Sequence, residues 1–328
     1  MPFNLRGRHF LTLRDFTPEE ITYLLDLAAK LKADKASGIR AKNLDGKNIA
    51  LVFEKPSTRT RCAFVAAAFD EGAHTEYFGR EDIRLGIKES VADVARVLGR
   101  MFDGIQFRGF LHETAEELAK WAGVPVWNGL TDRYHPTQVL ADFQTIQENF
   151  GRDLRGVKLA YLGDGRNNVA NSLLIGSAKM GLDFRIASPA SLFPGEELTV
   201  EARRIASGTG ARITITDSVD EAVRGADAIY TDVWASMGEE DKIPERIRLL
   251  KSFQITSETL KKTNNSKVIF LHCLPCFHND QTELARAFPD ICEATDEVFE
   301  SKHSKVFDQA ENRLHTIKAV MVATIGRG

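Results

Sequence analysis

Arginine, hydroxyl and phosphate-binding backbone groups are predicted to meet where an early strand passes into a helix. The apolar run Asn48 to Phe53 leads into the segment Glu54 to Arg61 (EKPSTRTR), and a helical pattern follows over 62–71. A helix N-terminus exposes N–H groups and a partial positive charge that suit a phosphate dianion, and arginine adds bidentate hydrogen bonds. The segment lacks the glycines of a Walker loop. A Ser-capped surface helix with solvated arginines is the alternative interpretation.

An arginine and a histidine occupy similar positions later in the same half. Arg108 follows the apolar run that begins at Gly104, and His135 stands just before the helical segment that begins Pro136-Thr137-Gln138. Ligands of α/β sheets bind at strand ends. An arginine and an imidazole aimed at one carbonyl oxygen would stabilise negative charge developing there, although a lone histidine is more often structural.

The second half opens with a glycine-containing loop after a strand. Val157 to Leu162 is followed by the segment 163–168 (GDGRNN), which imitates a dinucleotide-binding fingerprint. The third glycine is missing, and the next predicted strand ends without the acidic residue that would hold a ribose. This disfavours a nicotinamide-dependent dehydrogenase. We interpret Asn168 as an amide facing a small polar substrate, with a helix cap as the alternative.

A carboxylate ends a further strand. Asp232 follows Tyr230 and Thr231, and Ser236-Met237-Gly238 comes shortly after. Asp232 would hold an ammonium group, while Ser236 and nearby backbone amides would hold a carboxylate. The pattern therefore indicates an amino-acid clamp, although serine and glycine are also common in simple turns.

The segment 272–278 (HCLPCFH) has the composition of a metal or redox motif. We expect no zinc, because His272 and Cys273 continue a strand and their side chains should point to opposite faces. A Cys-x-x-Cys redox pair stays open, although Pro275 restricts the backbone where such motifs usually open a helix. One site thiol and one bystander, Cys276, is the preferred interpretation.

Alternating strands and helices must position these groups. A capping box at Thr17 and Glu20 with Pro18 begins the first helix. Repeated strand-helix units indicate parallel sheets with helices on both faces, an α/β fold. We place domains at 1–150 and 151–310, divided in the polar stretch 148–156, and a last helix at 311–328. The predicted strands are Asn48 to Phe53, Gly104 to Phe107, Val124 to Trp127, Val157 to Leu162, Phe184 to Ala187, Arg212 to Ile215, Ala228 to Tyr230 and Val268 to Leu271.

The bulk composition favours a small molecule as the partner of this protein. A chain of 328 residues favours two cores, and 43% hydrophobic with 27% charged residues is an ordinary globular composition. A net charge of -3 gives no case for nucleic acid. The apolar runs are shorter than the ~20 residues that span a bilayer. With no signal-like start and four cysteines interpreted as free thiols, we expect a cytoplasmic protein.

Taken in order, these segments resemble the aspartate/ornithine carbamoyltransferase family, and its ornithine branch in particular. The residues 53–61 and 135–138 are similar to the family's two carbamoyl-phosphate motifs, and Asp232, 236–238 and 272–275 to elements of the ornithine branch. The resemblance implies a first domain for carbamoyl phosphate, a second for L-ornithine and a C-terminal helix that returns to the first. It also implies a homotrimer, and a reaction that needs no cofactor or metal, because carbamoyl phosphate already contains a leaving group.

The resemblance also implies roles for individual residues. For carbamoyl phosphate these are Ser57, Thr58, Arg59, Thr60, Arg84, Arg108, His135, Gln138, Cys273, Leu274 and Arg313. The first four would hold the phosphate. Arg108 and His135 would polarise the carbonyl with help from Thr60. Gln138 and the backbone carbonyl of Leu274 would take the carbamoyl amide. The residues assigned to catalysis are Arg108, His135, Cys273 and Arg313, of which Arg313 is similar to an arginine that swings in on closure.

For ornithine, the similar positions are Asn168, Asp232, Ser236 and Met237, with Cys273 beside the reacting amine. Two residues depart from the family pattern. Arg84 stands where glutamine is usual, in a loop that in relatives reaches a neighbouring subunit's phosphate. We expect Arg84 to contact phosphate, with a side chain that points away from it as the alternative. Cys276 stands where alanine is common, and we assign it no function.

Two alternatives stay open at this point. A sister transferase would share the first half and use aspartate, acetylornithine or putrescine as acceptor. An inactive relative kept as a binding protein would be expected to lack Arg59, Arg108 or His135, and all three are present. The sequence does not decide between arginine synthesis and phosphorolysis of citrulline.

Overall fold

The chain divides into two units in a computed structural model that describes residues 3–235 and 240–326. Residues Met1–Gln144 together with Glu311–Gly328 form the first unit, and Thr145–Ala310 form the second. The strands are β1 (Asn48–Phe53), β2 (His74–Phe78), β3 (Gly104–Arg108), β4 (Val126–Leu130), β5 (Lys158–Leu162), β6 (Asp183–Ala187), β7 (Arg212–Thr216), β8 (Ala228–Thr231) and β9 (Ile269–His272).

Helices flank these strands. They are α1 (Pro18–Ala36), α2 (Thr58–Asp70), α3 (Arg80–Ile83), α4 (Val91–Met101), α5 (His112–Ala122), α6 (Pro136–Phe150), α7 (Asn168–Met180), α8 (Glu196–Thr209), α9 (Val219–Val223), α10 (Ile243–Leu250), α11 (Ser257–Lys262), α12 (Glu283–Ala287), α13 (Asp296–Phe299) and α14 (Val306–Ile325). In the described part of the chain, none of them has both the length and the apolarity to cross a bilayer.

The first unit is built on a parallel sheet in the order β2-β1-β3-β4. Strand β1 is central and is buried from Ile49 to Phe53. The C-terminal part of α14 belongs to this unit. Its Ala319 packs with Ala28 and Leu31 of α1, and its Thr324 accepts a hydrogen bond from the Trp127 indole of β4 at 3.0 Å.

The second unit is a parallel sheet in the order β7-β6-β5-β8-β9. Two parallel α/β sheets flanked by helices confirm the predicted fold class. In each sheet, strands that follow the first strand of the unit are added on one side of it and later strands on the other side. The switch points therefore lie between β1 and β3 and between β5 and β8. The carboxyl ends of strands at such a switch point form a crevice that binds ligands. Candidate residues follow these four strands and also β4, which precedes His135, and β9, which precedes Cys273.

Individual elements agree closely with the sequence patterns. The capping box of α1 is present, with the Thr17 hydroxyl accepting from Glu20 N at 3.2 Å and the Glu20 carboxylate accepting from Thr17 N at 2.9 Å. Strand β1 has the predicted bounds, and the other predicted strands are present with shifts of one to three residues at their ends. Strand β2 was not predicted. It is an edge strand whose sequence, HTEYF, carries polar residues and is only partly buried, so it lacks an apolar run.

Candidate active site

In the first unit, the turn from β1 into α2 presents the start of a helix at the switch point. The Ser57 hydroxyl accepts a hydrogen bond from Thr60 N at 3.2 Å and so caps α2. Thr58 is exposed at the first helical position, and Arg59 is half-buried. The cap anticipated for a surface helix therefore exists. It does not exclude a phosphate site, because the other N–H groups of the first turn still point out of the helix.

Thr60 joins two arginines that are far apart in the sequence. Its hydroxyl oxygen accepts from Arg108 Nη1 at 3.2 Å and from Arg313 Nη2 at 2.9 Å. Thr60 is fully buried and Arg313 is 2% exposed. A hydroxyl has two lone pairs and one proton. With both lone pairs engaged by guanidinium groups, its own proton is left to donate to a third group.

His135 is buried beside this cluster. The pKa of its imidazole lies well below the ordinary value of 6.5, first because burial disfavours the charged ring and then because Arg313, Arg108 and Arg59 repel a further positive charge. His135 is therefore neutral near pH 7 and could offer a ligand a neutral hydrogen-bonding group. Two guanidiniums, a hydroxyl and a neutral imidazole together form an environment that stabilises negative charge on an oxygen.

Gln138 and Arg84 are the remaining predicted residues of this unit. Gln138 lies in the first turn of α6, is 1% exposed, and its amide donates to Asp142 Oδ1 at 2.9 Å. Arg84 is placed differently. It follows α3 in a left-handed conformation (φ 38°) and forms an ion pair with Glu81 at 2.6 Å, with 45% of its side chain exposed. The predicted phosphate contact of Arg84 stays a prediction.

In the second unit, Asn167 organises the switch point. Its Oδ1 accepts from Ala170 N at 2.8 Å and caps α7, while its Nδ2 donates to the Tyr161 hydroxyl at 2.8 Å and to Asp232 Oδ2 at 3.0 Å. Asn168, the predicted substrate-facing amide, is the first residue of α7. The preference of asparagine for the N-cap position was the signal by which Asn167 could have been found, although the sequence predicted a cap only as the alternative role of Asn168.

Asp232 is held by three donors of the second unit. Besides Asn167, the Cys273 thiol donates to Oδ1 at 2.9 Å and Val233 N donates to the same oxygen at 2.8 Å. Asp232 is 8% exposed. The structure therefore brings the predicted carboxylate and the predicted thiol together. Ser236 and Met237, also predicted to bind the substrate, lie outside the described residues.

The glycine loop between β5 and α7 has a packing reason of its own. A Cβ added at Gly165 would lie 2.9 Å from the Leu192 carbonyl oxygen and 2.9 Å from Pro194 Cδ. Glycine is therefore required there by the close approach of the chain before α8. Gly165 therefore does not need a dinucleotide to explain it.

The predicted divergence of His272 and Cys273 is wrong. One ring nitrogen of His272, the Cys273 sulfur and an Asp232 oxygen lie within 4.8 Å of one another. Strand β9 ends at His272, so strand alternation no longer controls the direction of Cys273. Both ring nitrogens are hydrogen bonded: Nδ1 accepts from Leu274 N at 2.8 Å, which leaves the proton on Nε2, 3.1 Å from Glu293 Oε1.

The turn after β9 is further fixed by a buried glutamate. Glu293 is fully buried, and its Oε1 accepts from Phe277 N at 2.8 Å as well as from His272. Leu274 has a positive φ of 59°, a backbone conformation that residues other than glycine rarely adopt. Burial, followed by the nearby Glu293 carboxylate, raises the pKa of Cys276 well above 9.0, so this thiol is a poor nucleophile at neutral pH.

Comparison with known proteins decides the family. A family model described as "Aspartate/ornithine carbamoyltransferase, carbamoyl-P binding domain" matches residues 8–148, and one described as "Aspartate/ornithine carbamoyltransferase, Asp/Orn binding domain" matches residues 155–324. The chain belongs to the aspartate/ornithine carbamoyltransferase family. The resemblance noted from its motifs is thereby confirmed.

Members of this family similar to the chain carry consistent names. A catabolic ornithine carbamoyltransferase of Bacillus licheniformis is 62% identical, with 98% of each chain covered. An ornithine carbamoyltransferase of Streptococcus uberis is 58% identical over 98% of this chain and 96% of its own. Among solved structures, the ornithine carbamoyltransferase of Pyrococcus furiosus has a TM-score of 0.92 and 41% identity, covering 98% of both chains.

Proposed function

We propose that this protein transfers the carbamoyl group of carbamoyl phosphate to the δ-amino group of L-ornithine, giving L-citrulline and phosphate. The observation that carries the proposal is that Arg108 and Arg313 both donate to the Thr60 hydroxyl, with a neutral, buried His135 within electrostatic reach of both arginines. Such a group of donors suits a carbonyl oxygen that gains negative charge. Relatives that cover nearly the whole chain are named ornithine carbamoyltransferases, which supports ornithine as the acceptor.

Carbamoyl phosphate is assigned to the first unit. The phosphate would bind to Ser57, Thr58, Arg59 and Thr60 at the start of α2, where N–H groups and a guanidinium complement its charge. The carbonyl oxygen would accept hydrogen bonds from Arg108 and His135. Because His135 is neutral, it donates one hydrogen bond without bringing a further charge into the arginine cluster. The Thr60 proton provides an additional donor.

Ornithine is assigned to the second unit. Asp232 would bind its α-ammonium group, and the predicted role of Asn168, Ser236 and Met237 is to hold the rest of the amino-acid end. Cys273 would lie beside the reacting δ-amine. The Asn167 amide adds a residue to this set, because it holds one oxygen of Asp232 and so orients the carboxylate.

The chemical step is a displacement at the carbamoyl carbon. The δ-nitrogen forms a bond to that carbon, the bond from the carbon to the phosphate oxygen breaks, and the nitrogen loses a proton, which the departing phosphate takes up. The attacking amine must be neutral, whereas a free alkylamine has a pKa of about 10.5. The catalytic constant is therefore expected to rise towards alkaline pH, and a flat profile would contradict this step.

The decisive experiment is a product assay on the purified protein. Carbamoyl phosphate would be offered with ornithine, aspartate, putrescine or acetylornithine in parallel. We expect turnover with ornithine and with none of the other three acceptors. Turnover with another acceptor would overturn the assignments around Asp232, and no turnover would favour an inactive binding protein.

Direction and assembly complete the proposal. Because several similar proteins are named catabolic, we assign the chain to phosphorolysis of citrulline in the cell, which forms ornithine and carbamoyl phosphate. Its cysteines are free thiols, which fits the cytoplasmic location expected from the sequence. We also propose a homotrimer. Val65 and Phe69 of α2 are 39% and 72% exposed and offer apolar contact surface, and light scattering after gel filtration would give the mass.

A further inference from the structure

The amide of Gln138 is oriented by a buried carboxylate one helical turn away. Gln138 and Asp142 are at positions i and i+4 of α6, so their side chains share one face of the helix. They are 1% and 0% exposed. Gln138 Nε2 donates to Asp142 Oδ1 at 2.9 Å. Because the Asp142 oxygen accepts this bond, the NH₂ side of the amide faces Asp142 and the amide oxygen points away from it.

The other end of the same amide is an acceptor with no donor. Gln138 Oε1 is inaccessible to solvent, and among residues 3–235 and 240–326 no donor reaches it. A buried acceptor without a donor is unfavourable and is rare in folded proteins. Gln138 and His135 share one turn of the chain, where Gln138 N donates to the His135 carbonyl oxygen at 3.1 Å.

Carbamoyl phosphate has a group that matches this acceptor. Its carbonyl carbon carries an NH₂ group with two donors, whereas acetyl phosphate carries a methyl group of similar size in the same position. A site that presents a buried acceptor to this position discriminates strongly against an analogue that cannot donate, because the acceptor is then left without a partner.

We propose that Asp142 is a positioning residue that fixes the Gln138 amide with its oxygen towards the carbamoyl NH₂, and that the pair selects carbamoyl phosphate over acyl phosphates. This inference rests on the proposed function. Asp142 does not touch the substrate; it acts by excluding the reversed amide, which would present NH₂ to NH₂. The role needs a carboxylate, since a side-chain amide can pair with Gln138 in either sense.

The test compares Asp142→Leu, which has a similar shape and no acceptor, with Asp142→Asn, which keeps one acceptor but permits both pairings. Two constants are measured for each: kcat/KM for carbamoyl phosphate with ornithine saturating, and the inhibition constant of acetyl phosphate as a competitor. We expect Asp142→Leu to lower kcat/KM about tenfold or more, the size of one lost charge-assisted hydrogen bond, and Asp142→Asn to have a smaller effect. The acetyl phosphate constant should change by less than about twofold in both variants, because its methyl group donates no hydrogen bond.

The outcomes separate this inference from the function on which it rests. Wild-type protein without carbamoyl transfer would overturn the proposed function itself. If wild type is active, a loss confined to carbamoyl phosphate supports positioning by Asp142. An equal loss for both ligands in Asp142→Asn would indicate a general packing role, and no loss in Asp142→Leu would show that Gln138 is oriented without it; either result overturns the inference. Should Asp142→Leu fail to fold, the Asp142→Asn comparison decides alone.

Discussion

Replacing Thr60 by valine is the most direct perturbation of the proposed oxyanion site. Valine keeps the shape of threonine and removes only the hydroxyl that accepts from Arg108 at 3.2 Å and from Arg313 at 2.9 Å. The backbone bond from Thr60 N to the Ser57 cap is unaffected by the change. The substitution therefore removes the hydrogen bonds from the two arginines and leaves the cap of α2 intact.

The structure sets the size of the expected effect. A hydrogen bond that involves a charged group contributes about 1.5–3 kcal/mol. Two such bonds end on the Thr60 oxygen, so the upper part of the range applies if both guanidiniums lose their position, and the lower part applies if one finds another acceptor. Since about 1.4 kcal/mol corresponds to a factor of ten, kcat/KM for carbamoyl phosphate should fall by roughly 10- to 100-fold.

The assay is steady-state citrulline formation with each substrate varied, and Thr60→Ser is the matched control. Serine keeps the hydroxyl and loses a methyl group, so it should retain most of the activity. Most of the loss in Thr60→Val should appear in kcat, because the cluster is assigned to charge that develops during the reaction. Activity of Thr60→Val within about twofold of wild type, with an unchanged melting temperature, would refute the role given to this cluster.

Three further predictions concern buried charged and polar groups. The lowered pKa of His135 means that the unfolded chain binds more protons below pH 6.5, so folding stability should fall as pH drops below that value; a smaller pH dependence in His135→Asn, measured by urea unfolding, would check this. Lys318 has 1% of its side chain exposed, with Nζ 2.7 Å from Asp70 Oδ2. Lys318→Met should cost about 1.5–3 kcal/mol in unfolding free energy, because Asp70 keeps its ion pair with Lys35, and a cost under about 0.5 kcal/mol would contradict a stabilising role of the Lys318 ammonium. Glu293→Ala removes the acceptor of His272 and should raise the KM for ornithine and lower thermal stability, whereas Glu293→Gln should preserve more of both.

The elements of the fold were largely predictable because they rest on local patterns. The capping box of α1 and the apolar run of β1 involve neighbouring residues, and both are present with the expected bounds. Strand β2 could not be found in this way. As an edge strand it buries little surface and lacks the apolar pattern of a central strand. Its pairing with β1 identifies it as a strand, and that pairing is not visible in the sequence.

The sequence predicted candidate site residues where a motif contains them, and it did not predict contacts between distant segments. Arg313 and Thr60 are 253 residues apart in the sequence, and their proximity could be expected only from the family resemblance. Asn167 and Asp142 were missed, because a helix cap and a buried polar residue at i+4 are not distinctive in sequence. The direction of Cys273 was predicted wrongly because the strand was assumed to continue through Cys273, whereas β9 ends at His272.

The coincidence of helix caps and binding residues explains why two interpretations of the same motif stayed open. At the switch point of a parallel sheet, the residues that end a central strand must also begin the next helix, so serine and asparagine are favoured there whether or not a ligand binds. Capping alone uses one acceptor on each side chain. Asn167 makes two further bonds through its amide NH₂, one of them to Asp232, and Thr60 holds two guanidiniums that no cap requires. These additional contacts, rather than the residue types, are what support the proposal of a binding site at the helix start in each unit.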